Sequence, residues 1–311
     1  MACFLFFFVL VGLSIDYLYL DAFTPGGPSV PIATLIALGF SAAVSYTGYR
    51  QGGRWILSSV GAEPLDIQIP EHRELHNIVK EMALASGCRM PKVYVAYDPA
   101  PNAFATGCNE ESASICITTG LLILLGREET QGVVAHEMAH IKNNDTSVML
   151  LISVLLGGVV LLSDWARRSI FGARPLRRAS GPALLAIPAL LLIVISPLVS
   201  RLMAMAVSRQ REYLADATAV EFTRNPRGLA RALEKIRDSG MPCHKATRGT
   251  AHLFFVNPLR RRIDGSNGKL ADLLSSHPPI NRRILMLYQM GALPGSAAQL
   301  GIEAIDAQGA R

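Results

Sequence analysis

One run in the chain has residue types and spacing suited to chemistry: His136-Glu137-Met138-Ala139-His140. On an α-helix, residues four apart lie one turn apart on the same face, so both imidazoles can reach one metal ion. Glu137 follows the first histidine and sits about 100° round the helix. From there a carboxylate can face a water activated by that metal without becoming a ligand. Val133, Val134, Met138, Ala139 and Ile141 carry no charge, as a buried catalytic helix requires. This H-E-x-x-H pattern joins a two-histidine site to a general base.

A catalytic zinc takes three protein ligands and leaves one position open to water, so a third donor must come from elsewhere. The best candidate is Glu212, in Arg211-Glu212-Tyr213-Leu214-Ala215-Asp216. Asp216 lies four residues further on the same helix face. It is placed to accept the outer N–H of a ligating histidine and so fix its tautomer. Alone, these two acids read more readily as a solvated face beside Arg209 and Arg211; the upstream pair of histidines reverses that balance toward a site. His72 and His76 repeat the four-residue spacing but lack the glutamate after the first histidine, and they read as the edge of an amphipathic helix. One Zn2+ per chain would let Glu137 take a proton from water and return it to a leaving amine. A nearby cation or imidazole would then stabilise the oxyanion.

Several elements must position these residues. Glu71–Ser86 has Leu75, Ile78, Val79 and Met82 at helical spacing and stops at Gly87. Pro91–Tyr97 alternates as a strand. Asn102–Thr106 and Ser114–Thr118 read as a strand pair joined through Gly107 and an acidic turn at Glu110–Glu111. Arg127–Asn144 is a helix with Glu128 and Glu129 in its first turn, where the helix dipole favours negative charge. Arg201–Thr223 is a second helix. Asn225-Pro226 starts a third that runs to Gly240, and Pro278 starts a last one that Gly291 ends.

Half of the chain is hydrophobic and only 17% is charged, against roughly 25% in ordinary soluble domains. Disorder and a wholly soluble enzyme are therefore disfavoured. The uncharged stretches are Met1–Ile15, Pro31–Tyr49, Thr146–Ser163 and Ala179–Ser200. The first pair reads as a membrane hairpin over residues 1–49. Arg50 and Arg54 follow it, which places Arg50 onward on the cytoplasmic side. The second pair, within 146–200, reads as a hairpin that either spans or dips in, because Arg167, Arg168, Arg174, Arg177 and Arg178 lie in its connection. The remaining pieces, 50–145 and 201–311, then build one catalytic domain. The net charge of +6 fits a membrane surface better than nucleic acid, since no basic stretch carries interleaved aromatics. Five cysteines with no close pair fit a reducing compartment; Cys108 and Cys116 flank the strand pair and could lie near each other.

Five stretches together resemble the HtpX family of integral-membrane zinc metalloproteases, which are related to the CaaX prenyl proteases. They are Asn102-Ala-Phe-Ala-Thr-Gly107, Thr119-Gly-Leu-Leu122, His136 through Asp145, Arg209-Gln-Arg-Glu-Tyr-Leu-Ala-Asp216, and Ser276-His-Pro-Pro-Ile-Asn-Arg-Arg-Ile284. The resemblance implies an α+β fold: a mainly helical gluzincin-type domain with a small β-sheet, plus hydrophobic transmembrane helices. It implies His136, His140 and Glu212 as zinc ligands and Glu137 as catalytic base. It also implies that Asn102, Ala103, Phe104, Ala105 and Thr106 form the edge strand above the cleft, either an ordinary sheet edge or one that pairs with substrate backbone. It places His277 and Arg283 near the site. His277 would stabilise the oxyanion, cap the metal in a resting state, or simply begin a helix; Arg283 would join the site or serve as a structural ion-pair partner.

The function expected is a membrane-embedded endopeptidase of a bacterial inner membrane, with its active site facing the cytoplasm. Its expected partners are the lipid bilayer and misfolded or unfolded chains, membrane proteins above all, with no nucleic acid. A CaaX-type prenyl protease is a second enzyme reading, but it calls for a larger intramembrane chamber. A zinc scaffold or chaperone adaptor is the non-enzymatic alternative, and Glu137 argues against it, since a structural zinc is closed by four ligands.

Overall fold

The computed structural model describes residues 2–19, 30–152, 209–241, 254–255 and 278–291. The expectations for His277, for the arginines at 167–178 and for most of the second apolar pair lie outside the described residues. The chain divides into two compact units. Most of what is described of the first is α1 (Ala2–Tyr19) and α2 (Ile32–Ser59) as far as Gly52. The second begins at Gly53 and contains the site.

α2 has 28 residues and is long and apolar enough to cross a bilayer, judged by length and composition. At 1.5 Å per residue it reaches about 42 Å, more than a hydrocarbon core of about 30 Å. Ile32, Leu35, Ile36, Leu38 and Phe40 are exposed on it, as a lipid-facing surface requires. Tyr46, Tyr49 and Trp55 are exposed toward its other end, near Arg50 and Arg54. That is the order of an aromatic and basic interfacial belt.

The start of α2 presents a local problem. The first N–H groups of a helix have no intrahelical acceptor, and Pro31 has no side chain that could cap them. Asp16 of α1 supplies the cap from the neighbouring helix. Its carboxylate accepts from the N–H groups of Ala33 (2.9 Å) and Thr34 (2.8 Å) and from the Thr34 hydroxyl (2.6 Å). Close approach makes this reach possible: a Cβ on Gly12 would lie 2.4 Å from the Thr34 Cα. The one acidic residue of α1 is thus fully buried by pinning the hairpin. Asp16→Ala should destabilise the detergent-solubilised protein by about 1–3 kcal/mol, the cost of stranded donors. Asp16→Asn keeps an acceptor and should lose less; equal thermal unfolding of Asp16→Ala and the parent would refute the cap.

The second unit is built on a four-stranded sheet in the order β1-β2-β4-β3. β1 (Ala62–Pro64) and β2 (Lys92–Ala96) are antiparallel, with Glu63 opposite Val95. β2 and β4 (Ser114–Thr118) are parallel, with Tyr94 opposite Cys116. β4 and β3 (Ala103–Thr106) are antiparallel, with Phe104 opposite Cys116. β3 is therefore an edge strand by topology, yet all of its residues are buried. The strand pair read from the sequence is present, joined by a short 3-10 turn at Glu110–Ser112 that Asn109 caps. Cys88 carries a free thiol, and the Cys108 Sγ lies 3.2 Å from the Ser112 hydroxyl.

The helices follow their sequence signals closely. α3 (Pro70–Ser86) starts with proline in its first turn and ends at Gly87 in the left-handed conformation. α4 (Thr119–Leu124) is capped by the Thr118 side chain. α5 (Arg127–Lys142) carries the two histidines, and its first-turn Glu129 bonds back to the Gly126 N–H. α6 (Arg209–Thr223) carries Glu212 and Asp216. α7 (Pro226–Ser239) has Asn225 as its cap and Gly240 at its end. α8 (Ile280–Gly291) begins after Pro279, two residues later than Pro278 suggests, because a residue before proline is kept out of helical geometry.

α5 is the central element and packs against α3, α6, α7 and β3. Gly132 permits the closest of these contacts, since a Cβ there would lie 2.9 Å from the Leu229 Cα and N of α7. The surrounding core joins Leu75, Ile115, Ile117, Val133, Val134, Met138, Ala219, Leu233 and Leu287. The helix that bears the chemistry is thus fixed by apolar packing over most of its circumference.

Candidate metal centre

The two histidines of α5 and Glu212 of α6 converge in the interior, each with at most 4% of its surface exposed. The Nε2 atoms of His136 and His140 are 3.2 Å apart. Glu212 Oε2 lies 3.8 Å from the His136 Nε2, and its Oε1 lies 3.6 Å from the His140 Nε2. Donors about 2.1 Å from a tetrahedral zinc would stand roughly 3.4 Å apart. The three donors therefore already have the spacing, and the two-imidazole, one-carboxylate chemistry, of a catalytic zinc site. It is the only such cluster of metal-binding side chains among the described residues, so His72 and His76 form no comparable group.

The far nitrogen of each imidazole is held by a carboxylate. His136 Nδ1 lies 3.0 Å from Asp216 Oδ1, the contact expected from the sequence. His140 Nδ1 lies 3.2 Å from Asp145 Oδ2. Each Nδ1–H can donate outward, which leaves the Nε2 lone pair facing the cluster. Asp145 was not singled out by sequence reasoning. Its signal, a carboxylate just beyond the helix, becomes meaningful only through the turn after α5, where Asn144 has φ +57°. Arg211 completes this arm from α6, with a nitrogen 3.3 Å from the other Asp145 oxygen.

Arg283 of α8 is 2% exposed and grips Asp216 with two bonds: Nε to Oδ2 at 2.8 Å and Nη2 to Oδ1 at 2.7 Å. Its Nη1 is 3.4 Å from Glu212 Oε2, and its Nη2 is 3.5 Å from His136 Nδ1. The side chain thus lies against the outer side of the ligands and is committed to a fork–fork pair. Phe255 stacks edge-on to the His136 ring at 4.9 Å, and the guanidinium sits 4.9 Å over the Phe255 ring. Nothing in the sequence marked Phe255.

The ionisation states follow from this packing. Burial, aided by the Arg283 charge and opposed by Asp216, pushes His136 down to about 4, so its imidazole is neutral and able to ligate. Burial also lowers His140, but Asp145 together with Glu212 and Glu137 outweighs it, and the net shift is upward. Burial opposes ionisation of Asp216, yet Arg283 and His136 hold it below the usual carboxylate range. Burial drives Glu137 up to about 7; the neighbouring His140 and an N–H donated by Ala105 of β3 pull the other way. A carboxylate poised near neutrality is what a general base needs.

A model of peptidase family M48 matches residues 70–290, most of the second unit's described length. The chain belongs to peptidase family M48. Within that family, the protein named "Protease HtpX homolog" from Caldanaerobacter subterraneus subsp. tengcongensis is 43% identical, over 92% of this chain and 93% of its own length. The protein of the same name from Dictyoglomus thermophilum is 42% identical over 80% and 78% respectively. Among solved structures, S. mikatae Ste24p superposes with a TM-score of 0.51 at 20% identity, over 89% of this chain. The match spans 63% of that longer protein, and the likeness speaks for the fold alone. For this M48 chain the likeness read from the five sequence stretches holds, and so does the mainly helical fold with a small sheet and an apolar helix.

Removing Arg283 would leave the Asp216 carboxylate buried and unpaired. Arg283→Met should therefore cost about 3–5 kcal/mol of stability and weaken zinc binding through His136. Arg283→Lys should recover only part, because it restores charge without the fork. Calorimetry showing the Met variant as stable as the parent would contradict this account of the pair.

Proposed function

We propose that the chain is a membrane-anchored zinc endopeptidase in which His136, His140 and Glu212 hold the metal and Glu137 is the general base. The observation that carries this reading is the placement of Glu137. It lies on the helix of both histidine donors, is 2% exposed, and shares its carboxylate with the β3 backbone through the Ala105 N–H. A base is thereby set between a metal site and a strand edge that can pair with a peptide.

Zinc held by His136, His140 and Glu212 would supply Lewis acidity, lowering the pKa of water toward about 7 and polarising a peptide carbonyl. The protein's own groups do the rest. Asp216 and Asp145 keep both imidazoles in the tautomer that offers Nε2. Glu137 accepts the proton of the attacking water and passes it to the nitrogen of the leaving amine. A peptide that displaced the groups now bonded to the β3 edge would pair with it through its main chain. Main-chain pairing suits the disposal of misfolded chains of varied sequence. The likeness to these proteins and the apolar α2 support membrane proteins as substrates, and Arg50 and Arg54 after the apolar run favour cleavage on the cytoplasmic face of a bacterial inner membrane. Arg283 acts through Asp216 as a positioning residue, and His277 remains a proposed contributor to oxyanion stabilisation or to capping of the resting metal.

Glu137→Gln should lose about 10²–10⁴-fold in cleavage of an unfolded substrate such as casein while keeping its zinc. His136→Ala, His140→Ala and Glu212→Ala should each lose zinc, read by metal analysis. A Glu137→Gln enzyme as fast as the parent, or Glu212→Ala with full zinc, would remove that residue from its role. The base must be ionised to work, and burial raises its pKa to about 7. Activity should therefore fall as pH drops through this range. A cation held by His136, His140 and Glu212 would favour the carboxylate, so in the loaded enzyme the fall belongs on the acid side of about pH 7. A kcat/KM profile at saturating zinc that stays flat from about pH 5 to 8 would contradict this.

A further inference from the structure

β3 is an edge strand whose edge is already taken. In an antiparallel pair, successive residues turn their N–H and C=O alternately toward and away from the partner. Thr118 of β4 donates its N–H to the Asn102 carbonyl, so the Ala103 carbonyl points away from the sheet. That outward carbonyl is an acceptor that a peptide laid along β3 would use. The Phe255 N–H donates to it at 2.8 Å.

Phe255 is held as a bound peptide residue would be. Its N–H is on the strand edge, and its own carbonyl accepts from Arg283 Nη1 at 3.4 Å. Its ring is 2% exposed and lies against His136, a proposed metal ligand. The preceding ring, Phe254, goes to a different neighbour and meets Phe104 of β3 edge-on at 5.1 Å. Two consecutive aromatic residues thus fill the space beside the edge strand, one of them next to the metal site. The physical motive is plain. An outward carbonyl enclosed by protein must find a donor, and an open edge invites pairing with other chains.

We propose that Phe254–Phe255 is a built-in competitor for the peptide-binding edge. It holds the Ala103 carbonyl and the pocket beside His136, which during turnover are taken by a substrate's backbone and one large apolar side chain. The proposal rests on the peptidase reading above and deepens it: the preferred substrate carries an aromatic or large aliphatic residue where Phe255 now sits. Because only the fraction of molecules with a free edge binds substrate, self-occupancy raises the apparent KM by the reciprocal of that fraction.

The test uses the full-length, zinc-loaded protein in detergent with a quenched fluorescent peptide containing one phenylalanine. Phe255→Ala should lower KM by about threefold or more. The synthetic octapeptide Ala251–Pro258, added in trans, should inhibit the parent competitively, and its counterpart with alanine at the Phe255 position should inhibit far less. Replacing the reporter's phenylalanine by aspartate should raise KM. A parent that cleaves the reporter while Phe255→Ala shows an unchanged or higher KM overturns the self-occupancy and leaves the peptidase reading standing. Should Phe255→Ala fail to fold, the octapeptide decides: competitive inhibition supports the proposal, and none at about 1 mM overturns it. A zinc-loaded parent that cleaves no peptide at all sinks the peptidase reading, and this proposal with it.

Discussion

The structure of the second unit depends on keeping charge inside an apolar interior. Two imidazoles and a carboxylate must be buried with their donors a few ångströms apart, and isolated buried charge is very costly. The solution is a chain of pairings that runs outward. His136 leans on Asp216, and Asp216 is gripped by Arg283. His140 leans on Asp145, which reaches Arg211 nearer the surface. Each carboxylate meets a cation on its far side and orients its imidazole. The convergence of α5, α6 and α8 is as much a consequence of this charge pairing as of their apolar faces.

The same obligation, applied to the backbone, governs β3. Its outward carbonyl and N–H cannot be left without partners inside the protein. The Ala103 carbonyl takes the Phe255 N–H, and the Ala105 N–H turns to the Glu137 carboxylate. The second contact links the strand edge directly to Glu137 on α5.

The membrane unit meets a related constraint with other means. Pro31 begins α2 without a capping side chain, and the helix N-terminus is satisfied by Asp16 of α1. An acidic residue in an otherwise apolar helix is thereby turned from a liability into a clamp. Gly12 allows it by letting the helices meet without a side chain between them.

Much of this was legible in the chain. Histidines one turn apart with a following glutamate predict a shared metal site whatever surrounds them, because helical geometry alone fixes their relation. The caps and stops of α3 and α7, and the β3–β4 pair, are local signals that the structure repeats. Glu212 and Asp216, one turn apart, could be nominated once the upstream histidines called for a third donor. What the sequence did not reveal were β1, the role of Asp145, the double grip of Arg283 on Asp216, and the seat of Phe255 on the strand edge. Each joins residues remote in sequence or separated by a turn, and its meaning depends on which neighbour burial brings within 3 Å. Spacing along one helix is set by covalent geometry, whereas partners across the core are chosen only when the whole chain has to satisfy its buried charges and backbone groups at once.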